Sequence, residues 1–128
     1  MKILIVGARG LVGKEFARQF SDGHQVLALT HRDLDITDTP GVRSVVLNER
    51  PALVINCAVL GVDACELDPS LAWAVNVLGA ENLANPRYEI KNVCCACPGV
   101  RNCANLLCRI QGTRRGTEEI VFTRTEDP

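Results

Sequence analysis

The sequence predicts an α/β fold built on a doubly wound parallel sheet, and three observations carry that prediction. The apolar run Ile3-Leu4-Ile5-Val6 leads straight into the glycine-spaced turn Gly7-Ala8-Arg9-Gly10-Leu11-Val12-Gly13. Residues 1–85 then alternate strand and helix patterns with turn residues between them. Ala52-Leu53-Val54-Ile55-Asn56 is apolar nearly throughout, as a strand covered on both faces must be.

Each glycine of the turn has its own duty. Gly7 allows a tight exit from the strand, Gly10 lets a phosphate approach the backbone, and Gly13 lets the following helix pack closely. An anion held there rests on unpaired N–H groups at the positive end of the helix. The unit is therefore Rossmann-like, with Gly7, Arg9, Gly10, Leu11, Val12 and Gly13 as candidate cofactor-binding residues. The spacing is G-x-x-G-x-x-G, not the G-x-G-x-x-G of the dehydrogenase type, and a plain structural turn is the alternative reading.

The helix Leu11–Phe20 sets Leu11, Val12, Phe16 and Phe20 at helical spacing, with Lys14, Glu15, Arg18 and Gln19 opposite. Gly23 caps its end, and Gln25–Leu29 follows as a second strand. Thr37 or Asp38 caps a helix starting near Thr39-Pro40, which turns Val42, Val45, Val46 and Leu47 toward the sheet. Pro51 stops it before the third strand. A last helix, Pro69 to Asn85, is expected to bury Leu71, Val75, Leu78 and Leu83. The product is βαβαβα with right-handed crossovers, half of a doubly wound sheet.

The pattern breaks at Asn85-Pro86-Arg87. Ile90–Cys95 is a candidate fourth strand. Beyond Pro98-Gly99 no amphipathic period persists, and Ile120-Val121-Phe122 is the one short strand expected there. Residues 1–98 read as an NAD(P)-binding half-domain with a truncated sheet, and residues 99–128 as a weakly structured, poorly ordered C-terminal segment.

At 128 residues the chain suffices for one domain with a core but not for two. A hydrophobic fraction of 47% and a net charge of −1 describe a soluble globular protein without a basic nucleic-acid-binding surface. No apolar run nears the roughly 20 residues of a membrane span. Met1-Lys2-Ile3-Leu4 reads as strand rather than leader, so the cytoplasm is the expected compartment. Seven cysteines are an odd count without a secretory signal, which argues against a disulfide framework. Cys57 and Cys65 read as small buried apolar residues. The others, Cys94, Cys95, Cys97, Cys103 and Cys108, cluster late in the chain. Cys94-x-x-Cys97 has zinc-knuckle spacing, but the gap to Cys103 is short and no histidine lies nearby. No metal ligand is assigned, and a Cys-rich metal-binding tail stands as an alternative.

Gly7-x-x-Gly10-x-x-Gly13, Asp33-Leu34-Asp35-Ile36-Thr37-Asp38, Val54-Ile55-Asn56-Cys57-Ala58, Val62-Asp63-x-x-Glu66 and Ala74-Val75-Asn76 occur in that order. Over roughly the first two-thirds of the chain this set resembles the dTDP-4-dehydrorhamnose reductase family, a branch of the extended short-chain dehydrogenases/reductases. The resemblance implies an oxidoreductase that reduces the C4 ketone of a nucleotide sugar with hydride from a nicotinamide cofactor. It sets Asp35 and Ile36 beside the adenine, Cys57 and Ala58 along the ribose and diphosphate, and Asn76 in support of neighbouring strand ends. A turn role for Asp35 and a packed polar role for Asn76 stay open.

Cofactor choice follows from charge. An NAD site sets a carboxylate at the end of the second strand to bind the ribose 2′-hydroxyl. Here that strand ends Leu29-Thr30-His31-Arg32, with no acid before Asp33. Arg32, with His31, would instead meet a 2′-phosphate through charge-assisted hydrogen bonds. NADPH is the expected cofactor, with NADH as the alternative, and a merely solvated Arg32 as the bland reading. The family's chemistry also needs a Tyr-x-x-x-Lys pair and an upstream Ser or Thr. The sole tyrosine, Tyr88, is followed by Lys91 at three residues, not four. Cys94-Cys95-Ala96-Cys97-Pro98 stands where the hydroxyl-bearing strand end belongs. No catalytic residue is assigned. The chain reads as inactive alone, with a truncated or frameshifted sequence after residue 85. A non-catalytic nucleotide-binding or regulatory module is the competing class. Expected partners are the nucleotide cofactor and, in the full-length family, a nucleotide sugar, with neither nucleic acid nor membrane; the oligomeric state stays open.

Overall fold

The computed structural model describes residues 1–85, 92–95, 106–112 and 118–124. The chain divides into two compact units, Met1–Ala96 and Cys97–Pro128.

The first unit runs β1 (Lys2–Val6), α1 (Leu11–Phe20), β2 (Gln25–Leu29), α2 (Thr39–Glu49), β3 (Leu53–Asn56) and α3 (Val62–Leu67). Then α4 (Pro69–Trp73) passes directly into a π-helical segment (Ala74–Gly79) and α5 (Ala80–Leu83), before β4 (Asn92–Cys95). The strands lie in the order β2-β1-β3-β4, and every neighbouring pair is parallel. The expected Rossmann-like parallel sheet is present.

Burial on both faces explains the unbroken apolar strands. Leu4, Val6 and Val54 pack in one cluster with Leu34, Ile36, Val42, Val46 and Leu83. Ile3, Ile5, Leu53 and Ile55, which alternate with them, are also buried, none more than 3% exposed. Each such side chain contributes about 1.5–3 kcal/mol of burial. From β1 the chain leaves to one side for β2, then returns across β1 to β3. With right-handed crossovers, α1 and α2 therefore cover opposite faces. This reversal opens a crevice at the carboxyl ends of β1 and β3, where ligands of open α/β sheets bind.

The helix ends follow local chemistry. Pro40 sits in the first turn of α2, and Arg50 ends that helix in the left-handed region at φ 47° ahead of Pro51. Asp68 caps α4 by accepting the Leu71 N–H at 2.9 Å. On α1, Glu15 accepts from Arg18 and Gln19, and the Arg18 hydrogen bonds lead in holding its carboxyl down to about 2.

Several side chains depart from the sequence expectation. Leu11 is 90% exposed and Val12 is exposed too, so α1 rests on Gly13, Phe16, Ala17 and Phe20 instead. Phe16 and Phe20 stack with ring centroids 5.8 Å apart. Leu47 faces solvent while Val42 and Val46 are buried. Leu71 and Leu78 are exposed, and the inward stripe of the last helix is Val75, Gly79 and Leu83. The helix α3 fills a stretch for which no element was expected. Cys57 and Cys65 are half-buried rather than buried. No described helix is long and apolar enough to cross a membrane.

The second unit holds two strands, β5 (Leu106–Gly112) and β6 (Glu118–Arg124), paired antiparallel with Leu106 opposite Arg124 and Gly112 opposite Glu118. The expected Ile120–Phe122 strand lies within β6. Leu106–Gly112 lacks the strict apolar/polar alternation that marks a strand in sequence, which is why it was not expected.

Candidate functional site

A cleft of about 440 Å³ opens at the carboxyl ends of β1, β2 and β3. Of the residues singled out in the sequence, Gly7, Arg9, Gly10, Arg32, Asp35, Ile36, Cys57 and Ala58 line it together. Leu11 and Val12 do not; they line a separate depression along α1 with Phe16. Gly13 lies behind the turn. His31, read beside Arg32 in the sequence, lines it too, while Thr30, Leu34, Val59, Leu60, Leu71 and Val75 complete the wall and were not singled out as cofactor-binding residues. They are ordinary apolar or turn residues, so position in the fold rather than residue type makes them part of the site.

The turn after β1 is built as much by packing as by torsion. Gly7 has φ +72°, and a Cβ there would lie 2.5 Å from both Ala58 N and Cys57 C. The missing side chain thus lets the ends of β1 and β3 touch. A Cβ on Gly13 would run into the Gly7 carbonyl oxygen and lie 2.9 Å from Ala8 Cα. Its duty is to seat the helix on the turn rather than on the sheet. Gly10 is different: its nearest neighbour would be the Gly7 oxygen at 3.4 Å, an ordinary contact.

Gly10 is the N-cap of α1, with no side-chain cap bond. The N–H groups of Leu11, Val12 and Gly13 therefore have neither an intrahelical partner nor a cap from Gly10. The Gly10 N–H itself closes the turn on the Gly7 oxygen at 3.1 Å, and the Ala8 N–H bonds the Leu29 carbonyl at 3.0 Å, joining the turn to the end of β2. Partial positive charge at a helix N-terminus attracts anions, and the exposed cations Arg9 and Arg32 line the same cleft.

The far wall is a pair of carboxylate-closed turns. Asp33 Oδ2 accepts from Thr30 Oγ1 at 2.7 Å and Thr30 N at 2.8 Å, and these bonds hold its carboxyl below the usual range. This first acid after β2 is thereby turned back onto Thr30, while His31 and Arg32 face the cleft. Asp35 Oδ1 accepts from Thr37 N at 2.9 Å and Thr37 Oγ1 at 2.7 Å. The Thr37 backbone bond leads in lowering its carboxyl, with the hydroxyl bond and His31 adding to it. Asp35 thus closes a turn and lines the cleft.

These shifts set an acid dependence. A carboxylate whose native pKa lies below its unfolded value binds fewer protons in the native state. Its stabilisation is complete above about pH 5 and drains away as pH falls through the unfolded and then the native pKa. Urea denaturation of the chain should give a stability that is level from about pH 7 to 5 and falls below about pH 4. Thr37→Val, which removes one of the Asp35 bonds, should make that acid decline shallower.

The β3 end is fixed by polar groups. Asn56, 2% exposed, accepts the Ala58 N–H at 3.0 Å, and the Cys57 N–H bonds the Val6 carbonyl at 2.9 Å. Tyr88 and Lys91 lie outside the described residues, as do the side chains of the late cysteines. Among the described residues no group of His, Cys, Asp and Glu is placed to hold a metal ion.

With this geometry in hand, comparison with known proteins gives a consistent result. A family model described as the RmlD substrate binding domain matches residues 1–93. A dTDP-4-dehydrorhamnose reductase of Streptomyces griseus is 46% identical over 83 residues, which are 63% of this chain and 27% of that protein. The chain thus spans about a quarter of the length of the curated relatives it matches. Among solved structures, the dTDP-4-dehydrorhamnose reductase of Clostridium acetobutylicum superposes with a TM-score of 0.67 at 36% identity, covering 73% of this chain and 34% of that one. The Bacillus anthracis reductase, solved in complex with NADP, gives 0.66 at 30% identity over 71% of this chain and 34% of that one. The chain belongs to the dTDP-4-dehydrorhamnose reductase family and corresponds to its N-terminal part.

Proposed function

We propose that the cleft binds NADPH, with the diphosphate at the first turn of α1, the 2′-phosphate at Arg32 and the adenine beside Asp35 and Ile36. The observation that carries this reading is the uncapped, side-chain-free start of α1 opening on the same cleft as Arg32. The residues fit the group. A Cβ-free Gly10 leaves the approach clear, the cleft has the size of a small-molecule site, and Asp33 is committed to Thr30 instead of a ribose hydroxyl. The structural relative solved with NADP supports the same choice.

Bound there, the nicotinamide would supply hydride to the ketone of a nucleotide sugar in the complete family fold. This chain's residues hold the cofactor: the N–H groups of Leu11, Val12 and Gly13 offset diphosphate charge, and Cys57 and Ala58 border the ribose. The proton donor is not among them. The sequence has one tyrosine, and no lysine stands four residues after it. The chain is thus a cofactor-binding half that does not turn over alone, so NADPH should bind without being oxidised when a dTDP-sugar ketone is added.

Cofactor preference tests the assignment. In calorimetric titrations the parent chain should prefer NADPH over NADH, and Arg32→Ala should weaken NADPH binding about 10- to 100-fold while leaving NADH unchanged. Equal loss for both cofactors would remove Arg32 from the 2′-phosphate.

A further inference from the structure

The loop after β2 carries both chemistries that tell the two nicotinamide cofactors apart: a guanidinium, Arg32, and next to it a carboxylate, Asp33. Only one of them reaches the cleft. Of residues 30–36, every one lines it except Asp33. Thr30 accounts for that exception. Its carbonyl accepts the Asp33 and Leu34 N–H groups, each at 3.0 Å, which closes a turn with His31 and Arg32 at its tip. Its hydroxyl and its N–H both donate to Asp33 Oδ2, at 2.7 and 2.8 Å. Leu34, 7% exposed, anchors the loop in the core, whereas Asp33 is exposed. Among the described residues both partners of the Asp33 carboxylate thus belong to Thr30. Those bonds, rather than packing, set its direction.

A carboxylate after the second strand accepts the ribose 2′-hydroxyl of NAD and repels a 2′-phosphate. Asp33 has the chemistry for that role and is held out of it. The N–H bond is available from any residue but proline at position 30, so the hydroxyl is the share that depends on threonine. We propose that Thr30 sets cofactor selectivity: by latching Asp33 out of the cleft it leaves Arg32 as the charge that meets the ribose, and an unlatched Asp33 would turn the same loop toward NADH. Thr30 is a positioning residue, acting through Asp33. This role rests on the NADPH site proposed above, and adds to it the residue that enforces the choice and the acid held in reserve.

Calorimetric titration of the full chain with NADPH and with NADH reads the latch as a ratio of affinities. Thr30→Val keeps the shape and removes the hydroxyl. It should lower the NADPH-to-NADH ratio about tenfold, with NADPH weaker and NADH stronger. Thr30→Ser, which retains the hydroxyl, should keep the parent ratio. In an Asp33→Asn background Thr30→Val should leave the ratio unchanged, because the effect runs through the carboxylate charge. Carbon-13 titration of the Asp33 carboxyl needs no cofactor: its midpoint should rise in Thr30→Val and return in Thr30→Ser. The latch is overturned by a parent ratio retained in Thr30→Val, by a shift that persists with Asp33→Asn, or by an Asp33 midpoint that stays put. Equal weakening of both cofactors, the mark of a merely structural loss, overturns it too. If Thr30→Val does not fold, Thr30→Ala decides by the same ratio. A parent that binds no NADPH refutes the cofactor assignment and the latch with it, whereas a selective parent with an indifferent Thr30→Val refutes the latch alone.

Discussion

Gly10→Val is expected to abolish measurable NADPH binding while the protein stays folded. The backbone at this position, φ −66° and ψ 163°, is ordinary extended geometry that valine adopts readily. A Cβ would meet nothing closer than the Gly7 oxygen at 3.4 Å. The folded chain therefore loses only the modest N-cap preference for glycine, about 1 kcal/mol or less. The ligand loses far more. An isopropyl group at the mouth of the helix fills the space through which the diphosphate reaches the N–H groups of Leu11, Val12 and Gly13. Exclusion from those N–H groups should weaken affinity by at least about 100-fold, since several charge-assisted hydrogen bonds are lost together. Calorimetric titration alongside a thermal melt measures both sides of the contrast.

Gly7→Ala should do the opposite and cost the fold itself. The substitution forces a left-handed φ of +72° on an L-residue and drives its Cβ to 2.5 Å from the backbone of Cys57 and Ala58. Those atoms belong to the end of β3, held by the Cys57 N–H to the Val6 carbonyl and by Asn56 to the Ala58 N–H, so they cannot simply yield. Backbone strain and overpacking each contribute about 1–3 kcal/mol. Their sum is a large part of the roughly 5–15 kcal/mol that holds a small domain together. Urea denaturation should show a strongly lowered midpoint, or no cooperative transition at all. Gly13→Ala should follow the same direction despite alanine's better helix propensity, because its Cβ is set against the Gly7 carbonyl oxygen. A midpoint unchanged in either variant would contradict the packing described for the turn.

Much of this site is legible in sequence because glycine and strand patterns report backbone requirements directly. The apolar runs of β1 and β3 and the glycines between β1 and α1 locate the crevice, and the absence of an early acid after β2 locates Arg32. Side-chain facing is less legible. Leu11 and Leu78 are attractive core residues by type, yet α1 seats on Gly13 and the last helix on Val75, Gly79 and Leu83. A reading that ranks leucine above glycine cannot see that Ile36 needs the space at Gly79. The π-helical segment Ala74–Gly79 carries no residue signature that separates it from an α-helix in sequence. The six-residue α3 is too short to establish a period.

The central claim is that the first turn of α1 holds the diphosphate of NADPH. Amide chemical-shift mapping of the chain during an NADPH titration tests it most directly. Saturable shifts centred on Gly10, Leu11, Val12 and Gly13, with Arg32 and Ala58 following, are the predicted result. Saturation that leaves these amides unmoved, or that moves only the exposed face of α1 around Glu15 and Arg18, would contradict it.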